Sequence, residues 1–435
     1  MQSPDFTALL GPELAEAITK KGYTALTPVQ EAVLDPALAD RDLRISSQTG
    51  SGKTLAIGFV LRDVVQQASK PAKGVGRPAG LVVTPTRELA KQVEAELTWL
   101  YAGRKVRVTG VTGGASYRDE QRALAAGPSI VVGTPGRLLD HLRRGSIDPS
   151  GLAAVVLDEA DRMLDLGFRD DLEAILAMAP EEHRTHLVSA TFAREVRALA
   201  DRVQKKAVNV EGTPLGTANT DIDHVIYMVA PSERVNALIN ILLANPEDQT
   251  LVFARTRADV ARIADELKDA GFSVSSLSGE MEQAARNRAM SAFKRGDIQA
   301  LVATDVAARG IDVQDIARVV QVDPPTDADT YTHRSGRTGR AGRKGTSAIL
   351  VAPSALSRVS QLLRRAAVKF RTESVPTAAS IREKREQRLF AELTDAAEGA
   401  KELDGRAAAL ARRIVEAGEA ERALGRLLAQ AQGPG

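Results

Sequence analysis

Eight consecutive residues, Ser47-Gln48-Thr49-Gly50-Ser51-Gly52-Lys53-Thr54, restrict the fold of this chain more than any other feature. They follow a short strand and open a helical run, the setting that a phosphate-binding loop requires. Glycines there let backbone N–H groups wrap phosphate oxygens, Lys53 reaches the β and γ oxygens, and the Thr54 hydroxyl can ligate Mg²⁺. Ser47 stands where the general pattern has Gly or Ala, a small residue for a small residue. A plain Gly-rich turn is the bland alternative, and it rarely reproduces all eight positions in this strand-to-helix context.

The loop sits in a repeating rhythm. From about Arg44 to Val210, β-branched runs such as Leu81-Val82-Val83, Ile130-Val131-Val132, Ala154-Val155-Val156-Leu157 and Leu187-Val188 alternate with longer helical patterns. Such runs predict a parallel sheet covered on both faces. After a polar segment the rhythm restarts with Val225-Ile226-Tyr227, Leu251-Val252-Phe253, Leu301-Val302-Ala303 and Val319-Val320-Gln321-Val322. The expected fold is therefore α/β, with two similar parallel-sheet domains in tandem at 1–210 and 224–370, a linker at 211–223, and an α-helical C-terminal extension at 371–435. That extension is rich in Ala, Glu, Arg and Leu, with helix breaks expected near Gly399, Gly405 and Gly418.

With 435 residues and 43% apolar composition, the chain is long enough for two or three cores. The formal charge of +2, from 58 basic and 56 acidic residues, says nothing about a polyanionic partner, so such a partner must be argued from placement. The absence of cysteine excludes disulfides and thiolate metal sites and fits a reducing compartment. The apolar runs are about strand length, far short of the ~20 residues that span a bilayer, so no membrane partner is expected and the cytoplasm is the default location.

The apolar strand ending at Leu157 runs into Asp158-Glu159-Ala160-Asp161, which puts carboxylates at the C-terminal edge of a parallel sheet, where α/β ligands bind. Asp158 would hold the Mg²⁺ shell, and Glu159 would orient and help deprotonate an attacking water. This tetrapeptide is also the signature of the DEAD-box helicases, and the chain resembles that family well beyond it. Pro85-Thr86-Arg87-Glu88-Leu89-Ala90, Thr134-Pro135-Gly136-Arg137 and Ser189-Ala190-Thr191 occur in the family's order. Gly22-Tyr23 and Thr27-Pro28-Val29-Gln30 resemble its adenine-reading Q motif, with Phe6 as the upstream aromatic. The second half adds Thr304-Asp305-Val306-Ala307-Ala308-Arg309-Gly310-Ile311-Asp312 and His333-Arg334-Ser335-Gly336-Arg337-Thr338-Gly339-Arg340.

The resemblance implies that both domains are RecA-like and that the chain is an RNA-stimulated ATPase with ATP and Mg²⁺ as cofactors. Phe6, Tyr23 and Gln30 would face adenine, and Gln48, Thr49, Gly50, Ser51, Gly52, Lys53 and Thr54 the phosphates. Gly310 and Asp312 would meet the ribose from the second domain, while Arg337 and Arg340 reach the γ-phosphate as arginine fingers. Asp161, Ser189, Thr191 and His333 would couple ATP occupancy to RNA, although Ser and Thr at a strand end also serve as plain helix caps. RNA contacts would come from Arg87, Gly113, Gly114, Thr134 and Arg137 in the first domain and from Arg255, Gly279, Thr304 and Arg309 in the second. Aromatics make up only 3% of the chain, which favours a grip on the RNA backbone over base stacking. Three departures from the family pattern weaken local expectations: Ser278-Gly279-Glu280 replaces His-Gly-Asp, while Gln283 and Arg286 keep their spacing, and Ser335 replaces Ile or Val.

The alternative within this reading is an ATP-gated RNA clamp or scaffold that unwinds nothing; a DNA helicase is disfavoured by the Asp158–Asp161 motif and Gln30. In the extension, Leu403, Ala407, Leu410, Ile414 and Ala417 share one helix face, and Leu389, Leu393 and Ala396 repeat the spacing. This stripe needs a partner, either the second domain of its own chain or a second copy. A Pro-containing linker (Pro376) before Arg- and Glu-rich helices resembles the dimerising extension of some bacterial cold-shock DEAD-box helicases, so a homodimer through 371–435 is expected.

Overall fold

The structure is a computed structural model and describes residues 6–46, 51–65, 75–104, 106–189, 192, 194–212, 221–279, 281–308, 316–339, 344–394 and 405–432. The first sheet contains β1 (Leu43–Ser46), β2 (Gly80–Val83), β3 (Val108–Val111), β4 (Ile130–Gly133), β5 (Ala154–Asp158), β6 (Arg184–Ser189) and β7 (Val208–Glu211). All its pairings are parallel, in the order β3-β4-β2-β5-β6-β1-β7. Alternate residues of its central strands enter different cores. Val82, Val132, Val156 and Val188 pack with the helix Lys53–Leu61 on one face, and Leu81, Val131, Val155 and Leu187 with Leu138 and Leu172 on the other. Because both faces are covered, the strands read in sequence as unbroken apolar runs.

The second sheet contains β8 (Ile222–Met228), β9 (Thr250–Phe253), β10 (Val274–Leu277), β11 (Ala300–Ala303), β12 (Arg318–Gln321), β13 (Gly345–Val351) and β14 (Phe370–Glu373). Its order, β10-β11-β9-β12-β13-β8-β14, is that of the first sheet with seven added to every strand number. The two domains are thus topological copies although no close sequence repeat relates them. Local chemistry agrees: the helix after β2 starts at Thr86, whose hydroxyl accepts from Leu89 N at 3.2 Å, and the helix after β9 starts at Thr256, which accepts from Asp259 N at 3.1 Å.

The second sheet reaches slightly beyond the limits read from the sequence. β8 begins at Ile222, and β14 adds an edge strand parallel to β8, with Phe370 opposite His224. The segment Phe370-Arg371-Thr372-Glu373 carries one apolar side chain, so only its backbone pairing makes it a strand. Residues up to Thr377 form one unit and those from Ala378 another. The latter contains helices Ala378–Thr394, Gly405–Glu416 and Ala420–Gln432, with Gly418 at φ 71° between the last two. Among the described residues no helix is long and apolar enough to cross a membrane.

Candidate active site and nucleic-acid interface

Parallel register brings the ends of three strands side by side. Ser46 at the end of β1 lies opposite Ser189 of β6, and Asp158 at the end of β5 lies opposite Val188. Gly52, at φ 83°, turns the chain into the helix Lys53–Leu61, and a side chain there would collide with the Gln30 amide. Gln30 is fully buried; its Nε2 donates to Gly52 O at 3.1 Å and its Oε1 accepts from Thr27 N at 2.9 Å. Thr27 Oγ1 donates to Ser51 O at 2.7 Å. The segment expected to read adenine is thereby tied to the phosphate loop. Phe6 is buried in the first-domain core, and Tyr23 packs on that core with its ring stacked on Trp99.

Two buried polar atoms, Lys53 Nζ and Asp158 Oδ1, find no hydrogen-bond partner among the described residues. Burial pushes the Asp158 carboxyl up to about 7, against the pull of Lys53 and with the push of Glu159. Glu159 sits at φ 53°, a left-handed conformation that is rare and strained for a non-glycine residue, and it starts the helix Ala160–Asp165. Burial acts to raise its carboxyl, but the charges of Arg162, Lys53 and Arg337 outweigh burial and hold it below its ordinary value.

Arg162, 3% exposed, donates Nη1 to Glu159 Oε2 and Nη2 to His333 Nδ1, each at 2.8 Å. A guanidinium cannot accept, so His333 Nδ1 is unprotonated and its proton lies on Nε2, 3.8 Å from Asp161 Oδ2. Burial, and then the Arg162 charge, depress the His333 pKa and keep the ring neutral. Asp161, although burial opposes its charge, is held down to about 2 by His333, Lys53 and Arg162. Carboxylates of the first domain and a histidine and arginine of the second thus form one electrostatic unit.

A second contact between the domains lies along a cavity of about 630 Å³. Arg87, Gly113, Thr134 and Arg137 line it from the first domain and Gly279, Gln283 and Arg286 from the second. Arg87 Nη1 donates to Gln283 Oε1 at 3.3 Å, and Arg286 Nε lies 2.6 Å from Glu88 Oε1. Gly114, at φ 83°, packs under the Arg87 guanidinium in a left-handed conformation that favours glycine. Two expected RNA residues lie outside this lining: exposed Arg255 approaches Asp323, and buried Thr304 caps the turn after β11 by accepting from Ala307 N at 3.3 Å. Relative to the caps Thr86 and Thr256, the position equivalent to Arg87 is Arg257.

Gln48, Thr49, Gly50, Thr191, Arg309, Gly310, Asp312 and Arg340 lie outside the described residues. Thr54 follows Lys53 in the first turn of its helix, Ser189 is fully buried, and Arg337 is 6% exposed. Sequence reading missed Arg162 and Glu88. Each neighbours a recognised motif, and the i,i+3 spacing of Glu159 and Arg162 was a legible signal for the first.

Twin parallel sheets, with a lysine and carboxylates on one and a histidine and an arginine meeting them from the other, place the chain in the class of two-domain P-loop proteins. The family model for the DEAD/DEAH box helicase matches residues 27–199, and that for the helicase conserved C-terminal domain matches 233–342. The chain is 37% identical over 326 residues to the ATP-dependent RNA helicase DbpA of Bacillus subtilis, covering 75% of this chain and 67% of that protein. It is 41% identical over 325 residues to the ATP-dependent RNA helicase DeaD of Escherichia coli, covering 74% of this chain and 51% of the relative, so it spans about half of DeaD's length. Its fold is similar to that of S. cerevisiae Dbp5 bound to RNA and ADP BeF3, with TM-score 0.76 and 27% identity, covering 88% of this chain and 99% of that one. The chain belongs to the DEAD-box family of ATP-dependent RNA helicases.

The His333 geometry predicts a pH dependence. When the domains separate, His333 returns towards its ordinary pKa of about 6.5 and takes up protons that the joined state refuses. Joining is therefore fully favoured above that value and weakens as pH falls through it. Interdomain energy transfer in the nucleotide–RNA complex should fall between pH 7.5 and 5.5, and His333→Gln, which keeps an acceptor for Arg162, should flatten the difference between the two pH values. An unchanged dependence in His333→Gln would contradict the assignment.

Proposed function

We propose that the chain is an RNA-stimulated ATPase that binds ATP between its two domains, grips single-stranded RNA by its backbone and locally separates short RNA duplexes. The observation that carries this reading is the Arg162 bridge between Glu159 and His333, because it makes a catalytic carboxylate depend on contact between the domains. Lys53 neutralises the phosphates, Glu159 orients and deprotonates water, and Arg337 with Arg340 stabilises charge on the transferred phosphoryl group. Mg²⁺ fits the donors present: Asp158 and Thr54 would hold it through the nucleotide and water, and Asp158 Oδ1 is buried without a partner among the described residues. When bound, the ion would neutralise phosphate charge. The RNA substrate and the cysteine-free composition support the cytoplasm as the place of action.

RNA would lie along the cavity shared by Arg87, Arg137 and Gly279. Contacts to phosphate and sugar carry no sequence information, so the core should accept many RNAs. Lys53→Ala and Glu159→Gln should each reduce RNA-stimulated hydrolysis by about 100-fold or more. Glu159→Gln should still retain ATP and RNA in a stable complex, because its amide keeps an acceptor for Arg162. Near-normal turnover in that variant would sink the mechanism, and ATP-dependent RNA retention without release of a short duplex would favour the clamp.

A homodimer through the helical extension is supported by its unburied apolar side chains: Leu410 is 56% exposed and Leu427 61%. Phe390, Val415 and Leu424 are exposed as well. Of the stripe read from the sequence, Leu403 and Ala396 lie outside the described residues, while Ile414 is half-buried and Ala417 exposed. Light scattering should give a dimer mass for the whole chain and a monomer mass for a chain ending at Thr377, which retains β14. A monomer mass for both at micromolar concentration would exclude the stable dimer.

A further inference from the structure

Beneath the first-domain wall of the RNA cavity lies a carboxylate with no part in the nucleotide chemistry. Glu120, 5% exposed, sits on the helix Tyr117–Ala125. Its Oε1 accepts from Thr112 N at 2.7 Å, immediately before the Gly113-Gly114 turn. Its Oε2 lies 2.9 Å from His141 Nε2 and 3.5 Å from Arg137 Nε. His141 is fully buried, and the Tyr117 ring stacks on it at 4.4 Å between centroids. The Arg137 guanidinium carbon lies 5.5 Å from the centre of the Tyr117 ring, and Arg137 Nη2 donates to Ala115 O at 3.3 Å.

A buried carboxylate is costly unless its charge is matched. The Thr112 amide on Oε1 would be served by a neutral acceptor, and Oε2 is the oxygen that faces both His141 Nε2 and Arg137 Nε. What calls for the negative charge is Arg137, whose side chain is held at once by the carboxylate, by an aromatic face and by a carbonyl of the glycine loop. An arginine free in solvent has many rotamers to lose on binding a phosphate, and this one is already oriented.

We propose that Glu120 is a positioning residue for RNA: it fixes the Arg137 guanidinium and the Gly113-Gly114 turn in one arrangement at the cavity wall, so that RNA meets a pre-formed donor set. The inference rests on the reading of that cavity as the RNA path. Glu120 touches neither RNA nor nucleotide and acts through its neighbours.

The test is RNA-stimulated ATPase of the full chain, titrated with single-stranded RNA, for E120Q, R137A and the double variant. E120Q keeps an acceptor for Thr112 but removes the charge facing Arg137. Its half-saturating RNA concentration should rise about tenfold, the loss of one charge-assisted contact, while kcat at saturating RNA stays within about twofold. R137A should raise it at least as much, and the double variant should be no worse than R137A alone, because the two residues act as a unit. E120D, which keeps the charge, should recover part of the loss. Unchanged RNA dependence in E120Q while R137A weakens RNA would overturn the inference, and an R137A variant without effect would overturn the RNA path on which it rests. If E120Q also melts early, the double variant decides: a general loosening adds to R137A, whereas positioning does not.

Discussion

The site depends on one buried cation. A guanidinium that has left water must find its hydrogen bonds in protein, and a mismatched one costs several kcal/mol. The two partners of Arg162 belong to different domains: Glu159 on the first and His333 on the second. The first domain alone can satisfy half of it. The second half arrives with a neutral histidine ring whose lone pair faces the arginine and whose N–H faces Asp161. Because Arg162 of the first domain and Arg337 of the second both act on Glu159, its charge state becomes a property of the joined domains.

The proposed RNA side uses the same logic with different residues. Glu88 and Arg286 pair across the domain boundary beside Arg87 and Gln283, so the cavity wall is continuous only when the domains meet. The Arg162–His333 contact and the Glu88–Arg286 pair are thus two parts of one interdomain contact, which is what coupling between the proposed nucleotide and RNA sites requires. The matched order of the two sheets makes this economical, because both domains present their strand ends and loop starts to the shared boundary.

Much of this was legible in the sequence, for definable reasons. Strands buried on both faces are unbroken apolar runs, so β2, β4, β5, β9 and β11 could be read directly. Lys53, Asp158 and Glu159 lie at a helix start, a strand end and a helix cap, positions that motif spacing marks, whereas His333 lies in the last turn of a helix and Arg337 just past it. β14 was hidden, since its strand character comes from pairing with β8 and not from its one apolar side chain. Thr304 was expected at the RNA, and its hydroxyl accepts from Ala307 N in the turn after β11, a contact that its place in the sequence does not show. Gln30 was expected at adenine, and its amide also ties Thr27 to Gly52, a link between distant segments that the sequence does not show. Glu88, Glu120 and the His333 contact of Arg162 acquire meaning only through neighbours distant in the chain or on another element, which periodicity does not reveal.

The central claim is that ATP and RNA are bound by one interdomain arrangement. Reciprocity then demands that each ligand tighten the other by the same factor. Fluorescence anisotropy of a labelled single-stranded RNA, titrated with the full chain with and without a saturating non-hydrolysable ATP analogue, measures that factor directly. The account predicts that the analogue tightens RNA binding by about tenfold or more, within the usual range of coupling between sites. Equal RNA affinity in the two titrations would contradict it.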